Sequence, residues 1–225
     1  MFITAIIGQK GGTGKTTTSL GLAVAAAQAG QAAAIIDLDP QANAANWKDR
    51  READNPAVVS AQVSRLRQTL EAAKGYGAEF VVIDTPGKSD SAAIESARVA
   101  DFVLIPVRPQ IFDLETLPAL RDLLRVAGTA PAYVVLNGLH PQARRQADEA
   151  KAMIQQTFGF TVCPVHLCHR GSYAEAPTTG KAPQELDPEG KAADELRRLY
   201  MFITQRLTMS THKHDQKPTS LATGT

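Results

Sequence analysis

The sequence predicts a single α/β domain, built as a doubly wound, mostly parallel sheet with helices on both faces. Short apolar runs alternate along the chain with longer amphipathic segments, and this alternation is typical of parallel strands joined by helical crossovers. Glycine-rich or acidic segments directly follow three of the apolar runs, and such sheets bind ligands at the carboxyl ends of their strands. At 225 residues, one domain with a sizeable core is expected.

The predicted elements follow one another in strict alternation. Strands are expected where apolar, β-branched runs are short, and helices where apolar residues recur every three to four positions. The strands are predicted near 2–7, 32–37, 57–60, 79–84, 101–107, 132–137 and 160–165. The helices are predicted near 16–29, 41–53, 62–74, 90–99, 115–127, 142–158 and 188–207. The domain is expected to span 1–208, and the polar, aperiodic residues 209–225 are predicted to be a disordered tail.

Composition limits the classes of function. The chain is 44% hydrophobic and 21% charged, as in ordinary globular proteins. Its formal net charge of +1 is too small to attract a polyanion by itself. Any such binding therefore requires a local basic patch. The first strand starts at Phe2, which leaves no room for a signal peptide, and no run approaches the length of a membrane span. The two cysteines, Cys163 and Cys168, form no disulfide framework, and a cytoplasmic setting fits.

A glycine-rich loop with two lysines follows the first predicted strand. Residues 9–17 read QKGGTGKTT, with Gln9 where the standard P-loop pattern has glycine. Glycines let backbone N–H groups approach an anion, and the helix that follows adds its N-terminal dipole to the same place. We expect Lys15 to bind the β- and γ-phosphates and Thr16 to coordinate Mg²⁺. The predicted nucleotide-binding residues of this loop are Gly11, Gly12, Thr13, Gly14, Lys15, Thr16 and Thr17.

Aspartates stand at or just after the ends of two further predicted strands. Asp37 and Asp39 follow one apolar run, and Asp84 ends another. A carboxylate beside a P-loop can hold Mg²⁺ directly or through water. The predicted metal site therefore consists of Thr16, Asp37 and Asp84, although aspartates at strand ends also serve as helix caps.

Four motifs together resemble those of the ParA/MinD class of P-loop ATPases, whose Walker A motif is deviant. They are KGGTGKTT at 10–17, IIDLDPQ at 35–41, FVVIDTPG at 80–87, and VLIPV at 103–107 with Asp113 and Leu114. The resemblance covers roughly residues 2–207 and is nearest to the short partition ATPases that lack an N-terminal helix-turn-helix. It implies a P-loop NTPase fold, ATP and Mg²⁺ as cofactors, and ATP hydrolysis at a weak basal rate.

The resemblance also implies roles for single residues. Lys10 is expected to reach the partner's ATP in a homodimer that forms in the ATP state. Together with Lys15 and Asp39 it makes up the expected catalytic set, in which Asp39 positions the attacking water. Gly87 is expected to offer its N–H to the γ-phosphate. Asn137 resembles the asparagine that contacts adenine, with a simple turn residue as the alternative.

The partition branch of this class binds DNA non-specifically as an ATP dimer, and a ParB-like protein or another cargo adaptor stimulates hydrolysis. The resemblance thus implies a cytoplasmic, nucleoid-associated protein whose cargo is a plasmid, a chromosome or a protein assembly. The segment at 170–181 resembles the family pattern before the last helix. Candidate DNA contacts are Arg170, Lys181, Lys191, Arg197 and Arg198, although surface charges usually form only a solvated face.

Three alternative interpretations remain open at this point. A MinD-like membrane-associated ATPase needs an amphipathic helix, and an apolar stripe in the last predicted helix has the spacing, although packing on the sheet is favoured. A zinc site among Cys163, His166, Cys168 and His169 is disfavoured by its spacing, and a buried thiol is favoured. A scaffold that binds ATP without hydrolysis is disfavoured because it would need neither Lys10 nor Asp39.

Overall fold

The computed structural model describes residues 1–128 and 130–215. The strands are β1 (Phe2–Ile6), β2 (Ala33–Asp37), β3 (Ala57–Ser60), β4 (Phe80–Asp84), β5 (Phe102–Val107), β6 (Ala132–Leu139), β7 (Thr161–Val162) and β8 (Leu167–Cys168). The helices are α1 (Lys15–Gln28), α2 (Asn43–Lys48), α3 (Leu66–Gly75), α4 (Asp90–Val99), α5 (Ile111–Leu114), α6 (Leu117–Ala127), α7 (Arg144–Gln156), α8 (Ser172–Glu175), α9 (Pro183–Leu186) and α10 (Lys191–Asp215). Two short 3₁₀ turns cover Val63–Arg65 and Ala176–Thr179.

The sheet is parallel at every recorded pairing, in the order β3-β2-β4-β1-β5-β6-β7, with β8 beside the far half of β6. The strand register pairs Asp84 with both Ile6 and Asp37. The carboxyl ends of β1, β2 and β4 therefore meet at one edge, where the predicted ligand residues are concentrated. The predicted fold class, a doubly wound parallel sheet, is confirmed.

Two apolar cores lie on opposite faces of this sheet. Alternate residues of a strand point to opposite faces, so Phe80 and Val82 join the core under α1 and α10, whereas Val81 and Ile83 join the core under α3, α4, α6 and α7. The apolar stripe of α10 belongs to the first core and is buried, which confirms that it packs on the sheet. Its members are Leu196, Leu199, Tyr200, Ile203 and Leu207.

Several predicted boundaries are wrong. The helix predicted at 41–53 is only α2: Ala42, just before it, has a left-handed φ of 50°, and Arg51, beyond its end, pairs with Glu185. The strand predicted at 160–165 is limited to β7, and β8 follows it. The helix predicted at 115–127 is confirmed as α6, and the short helix α5 before it was not predicted.

The last helix also ends later than predicted. The predicted disordered tail from 209 is wrong as far as Asp215, because α10 continues to that residue. Residues 209–215 are mostly polar and contain neither proline nor glycine, so nothing in them breaks a helix. The remainder of that prediction, residues 216–225, lies outside the described residues. Within the described part of the chain, no helix has the length and apolarity that a membrane span requires.

Candidate nucleotide site

A cleft of about 690 Å³ lies at the carboxyl edge of the sheet. Its walls come from the glycine-rich loop, from the segment after β2 and from the segment after β4. The predicted residues that line it are Gly11, Gly12, Gly14, Lys15, Thr16, Thr17, Asp39 and Gly87. Five other predicted site residues do not line the cleft: Lys10, Thr13, Asp37, Asp84 and Asn137.

Asn137 supports the loop from behind. Its side-chain Nδ2 donates to the Thr13 carbonyl at 2.7 Å, and its Oδ1 accepts from the Gly138 N–H at 2.9 Å. Gly14 has φ of 89°, and a Cβ placed on it would lie 2.0 Å from Asn137 Nδ2. Glycine is therefore required at 14 for conformation and for space. The contact of Asn137 with adenine stays a prediction, since both polar ends of its side chain are already paired within the protein.

The two lysines of the loop occupy different environments. Lys15 is 7% exposed, and its Nζ donates to the Lys10 carbonyl at 2.9 Å. Burial lowers the pKa of Lys15, whereas the nearby carboxylates of Asp84 and Asp39 raise it. Lys10 instead lies on the rim, with its Nζ 2.7 Å from Asp113 Oδ1. The structure thus places one ammonium inside the cleft and the other outside it.

Asp84 is the residue best suited to hold a divalent cation. Its Oδ1 accepts from the Ser19 hydroxyl at 2.9 Å, while its Oδ2 is buried with no hydrogen-bond partner among the described residues. Burial raises the pKa of Asp84 to about 7, although the nearby hydroxyls of Thr16 and Ser19 act to lower it. A buried carboxylate oxygen without a partner is costly and fits a hard cation with oxygen ligands. These residues fit Mg²⁺, with Asp84 and Thr16 as the groups that would hold it.

Asp37 is held by three backbone hydrogen bonds within the protein. Its Oδ1 accepts from the Asp39 N–H at 3.0 Å, and its Oδ2 accepts from the N–H groups of Ala44 at 3.0 Å and Ala45 at 3.3 Å. Burial raises the pKa of Asp37, and these backbone hydrogen bonds lower it. The carboxylate therefore fixes the turn after β2 and the start of α2. A place for Asp37 in the metal shell stays a prediction without support from this geometry.

The segments after β2 and β4 both reach the cleft. Asp39 is half-buried, and its Oδ1 accepts from the Gln41 N–H at 2.9 Å, which fixes the turn at Pro40. A Cβ on Gly87 would lie 3.2 Å from the Gly11 nitrogen and 3.3 Å from the Lys10 carbonyl carbon. The backbone after β4 therefore packs directly on the lysine-bearing loop, so a movement of one segment is felt by the other.

The candidate DNA contacts divide into two groups. Arg170 is paired with the buried carboxylate of Glu195 through its Nε at 2.9 Å and its Nη2 at 2.5 Å, and its side chain is only 20% exposed. This ion pair joins the loop after β8 to α10 and gives Arg170 a structural role. The other four residues are exposed and lie on or near α10: Lys181, Lys191, Arg197 and Arg198.

Sequence reasoning missed several residues that shape the site. Ser19 follows Lys15 by one helical turn and therefore faces the same direction, a signal that could have identified it. Arg108 contacts Asp113 with its Nε at 2.7 Å and its Nη2 at 3.2 Å, but no spacing rule links a loop arginine to that carboxylate. The same holds for Glu195, which meets Arg170 only through the fold.

The cysteine and histidine segment carries no metal-binding cluster. Among the side chains that the structure describes, no group of three or more His, Cys, Asp or Glu is arranged to hold a metal ion. Cys163 is fully buried, and burial raises the pKa of its thiol to about 12. Its interpretation as a buried thiol is confirmed.

Comparison with known proteins gives a consistent result. The family model described as the CobQ/CobB/MinD/ParA nucleotide binding domain matches residues 4–183. The "Maintenance of carboxysome distribution protein A" of Gloeobacter kilaueensis is 32% identical over 157 residues, which cover 68% of this chain and 71% of that protein. The "Chromosome-partitioning ATPase Soj" of Thermus thermophilus is 27% identical, over 90% of this chain and 95% of that protein.

The fold is shared with a solved relative. The structure of the MinD cell division protein of Aquifex aeolicus superposes with a TM-score of 0.72 at 16% identity, over 91% of this chain and 98% of that one. At this identity the likeness shows the fold alone. The family model, however, covers most of the chain, and the loop, strand-end aspartates and two lysines lie where the sequence motifs require them. The chain belongs to the CobQ/CobB/MinD/ParA nucleotide-binding family.

Proposed function

We propose that this protein is a positioning ATPase that cycles between a monomer and an ATP-bound dimer. The observation that carries the proposal is the separation of the two lysines: Lys15 lies inside the cleft, and Lys10 lies on its exposed rim. One ammonium suffices to bind the phosphates of its own subunit's nucleotide. A second ammonium on the rim is suited to the phosphates of a nucleotide held by a facing subunit.

Each residue of the site has a place in this chemistry. Thr16 and Asp84 would hold Mg²⁺, which neutralises charge on the phosphates when it is bound. Lys15 would bind the phosphates at the N-terminus of α1, where the backbone N–H groups add to the attraction. Asp39 lies on the opposite wall of the cleft and would orient the attacking water. Lys10 would contribute charge from the partner subunit.

The dimer would bind DNA non-specifically, and a ParB-like or cargo-adaptor protein would stimulate hydrolysis and release. The relatives support this class of function, since their names include chromosome partitioning and carboxysome distribution. The cargo would be a plasmid, a chromosome or a protein assembly. The MinD-like membrane alternative loses its supporting observation, because the apolar stripe of α10 is buried in the core.

The central test combines sedimentation with phosphate release. With ATP and Mg²⁺, the unsubstituted protein is expected to sediment as a dimer and to hydrolyse ATP slowly. Lys10→Ala is expected to bind nucleotide but to remain monomeric, because the charge that reaches across the interface is lost. Asp39→Ala is expected to accumulate as an ATP dimer with little phosphate release.

Lys74→Ala provides a matched control, because Lys74 is an exposed lysine at the end of α3. It should dimerise and hydrolyse ATP like the unsubstituted protein. Normal ATP dimers of Lys10→Ala would contradict the proposed function.

A further inference from the structure

The strand β3 lies at one edge of the sheet and is open on its outer side. It pairs with β2, and no other strand of the described residues lies next to it. Edge strands of natural proteins are often protected by charged side chains that prevent pairing with another chain. The sequence of β3 contains none, since it consists of Ala57, Val58, Val59 and Ser60. The edge therefore presents main-chain groups that no charge protects.

One hydrogen bond shows which main-chain groups of β3 face outward. The Ala61 N–H, directly after the strand, donates to the Asp37 carbonyl at 2.9 Å. Because successive peptide groups of a strand face opposite sides, the Val59 N–H also faces β2. The main-chain N–H and C=O groups of Val58 and Ser60 therefore face outward. Donors and acceptors at alternate residues match the main chain of an extended segment.

An apolar slot of about 530 Å³, the edge slot, opens between β3 and α3. Val58 packs against the core under α1 and α10, so Ala57 and Val59 point to the opposite face. The parallel register sets them beside Ala34 and Ile36 of β2, and these side chains together form the floor of the slot. Val59 is 47% exposed, so the floor is open to solvent.

The roof of the edge slot is formed by α3 and by the residue that follows it. Its members recur at the spacing of a single helix face: Thr69, Ala72, Ala73 and Tyr76. Alanine side chains are too short to fill the space between this face and β3. The Tyr76 side chain lies at the mouth, and the residue is 92% exposed. The slot is therefore a space that the side chains of another segment can fill.

The end of the edge slot where β3 begins carries acidic groups. Asp54 lines the slot there, and its carboxylate forms no hydrogen bond or ion pair with any described residue. Glu79 lies at the same end, where its Oε2 accepts from the Ala32 N–H at 2.9 Å. Lys48 is nearby, but its Nζ donates to the main-chain carbonyls of Ala53 at 2.7 Å and Asp54 at 3.1 Å. These groups together carry negative charge, which favours a basic group on the occupant.

We propose that the edge slot is the docking site of an extended segment of a partner protein, which adds a strand beside β3. The main chain of the segment pairs with Val58 and Ser60, its alternate apolar side chains enter the slot, and a lysine or arginine lies beside Asp54. Strand addition takes its affinity from main-chain hydrogen bonds and its specificity from pockets for alternate side chains. The slot shares no lining residue with the nucleotide cleft, so the proposal does not depend on the proposed function.

The test uses a library of short capped peptides with apolar residues at alternate positions and a lysine at either end. Binding to the protein is measured by fluorescence anisotropy, and the tightest peptide is carried forward. Val59→Lys places a charge on the floor of the slot, and Ala72→Leu fills the slot from the roof. Each is expected to raise the dissociation constant about tenfold or more, because an apolar side chain of the peptide loses its buried position.

Two further measurements separate strand addition from simple apolar contact. Methylation of alternate main-chain nitrogens of the peptide should abolish binding in one of the two registers, because it removes the donors that pair with β3. Asp54→Asn is expected to raise the dissociation constant about twofold to fivefold at low salt and to have little effect at high salt, as for an exposed ion pair.

The matched controls lie on α6, away from the slot. Val126→Lys, Ala119→Leu and Asp122→Asn make the same changes at exposed positions and should leave peptide binding unchanged. Urea unfolding checks that each variant is folded. Since Val59 and Ala72 are both exposed and lie on opposite walls, either variant tests the slot if the other does not fold.

Three results would overturn the proposal. The first is that no peptide of the library binds, or that binding survives both Val59→Lys and Ala72→Leu. The second is that methylation in either register leaves binding unchanged, which would indicate apolar contact without an added strand. The third is self-association without peptide or nucleotide that Val59→Lys abolishes, which would identify a second copy of the chain as the occupant. A protein that fails to dimerise with ATP would overturn the proposed function and leave this proposal intact.

Discussion

Asp84 is a carboxylate in a fully buried position, where its ionised form is unfavourable. The residue ends a strand with no exposed surface, and one of its carboxylate oxygens has no partner in the described part of the chain. Burial raises its pKa to about 7, so the protein binds a proton there more tightly when folded than when unfolded. The folded state is therefore favoured at low pH and loses this contribution as the pH rises from about 4 to about 7.

Asp84→Asn should remove this loss of stability at high pH, because asparagine has no proton to release there. In urea unfolding without Mg²⁺, the free energy of unfolding of the variant is expected to exceed that of the unsubstituted protein by up to about 4 kcal/mol at pH 8. The difference should be much smaller at pH 4.5. Added Mg²⁺ should stabilise the unsubstituted protein and not the variant. Asp122→Asn, on the exposed face of α6, serves as the control. An equal gain at both pH values would contradict the assignment of the effect to a buried carboxylate.

The segment before α10 acts as a clamp on α2. Trp47 Nε1 donates to the Lys181 carbonyl at 2.9 Å, and Arg51 donates to the Gly180 carbonyl and to both carboxylate oxygens of Glu185. Asp37 holds the other end of α2 through the N–H groups of its first turn. The clamp therefore supports, through α2, the turn that carries Asp39 into the cleft.

Gly180 is the residue on which this clamp depends most. Its φ is 68°, and a Cβ on it would lie 2.4 Å from the Arg50 carbonyl oxygen. Gly180→Ala is expected to reduce the free energy of unfolding by about 2 kcal/mol or more, because both the backbone conformation and the space oppose a side chain. Chemical denaturation measures the change.

Gly171→Ala provides the control for Gly180→Ala. Gly171 has a right-handed φ of −57° and open space around it. Its substitution should therefore change the free energy of unfolding by no more than about 0.5 kcal/mol. Equal effects at the two positions would contradict the clamp.

These elements also mark the limit of what the sequence could predict. β1, β2, β4 and β5 are apolar runs buried on both faces, and the loop after β1 has a fixed glycine pattern, so both could be predicted. Arg51, just beyond the end of α2, meets Glu185, which is 134 residues away. The pairing of Lys10 with Asp113 likewise depends on how β5 and its following loop are placed. Such contacts leave no periodic signal in the chain.

At the scale of the whole molecule, the proposed DNA-binding surface consists of exposed cations on α10, while the net charge is only +1. Arg198 has a side chain that is 58% exposed and pairs only loosely, at 3.6 Å, with Asp194. Arg170, by contrast, forms an ion pair with the buried Glu195. Substitutions of these two arginines should therefore have different consequences.

DNA retention is expected with ATP and not with ADP, on duplexes of arbitrary sequence. Arg198→Gln should reduce the slope of log affinity against log salt by about 1, as expected for the loss of one phosphate contact. Arg170→Gln should instead lower stability, because it leaves the buried Glu195 without its cation. Arg125→Gln, an exposed arginine on α6, is the control. Equal retention with ATP and ADP would count against a nucleotide-controlled DNA-binding surface.

The hydrogen bond from Lys15 to the Lys10 carbonyl means that the protein supplies an internal competitor for its own ligand. Any anion that takes the Lys15 ammonium must displace this 2.9 Å contact, so its observed affinity is smaller than the affinity of the cradle alone. A triphosphate can offset the displacement through its many oxygens, whereas inorganic phosphate has far fewer contacts to offer. Because every anion meets the same cost, we expect a triphosphate still to bind at concentrations at which inorganic phosphate does not.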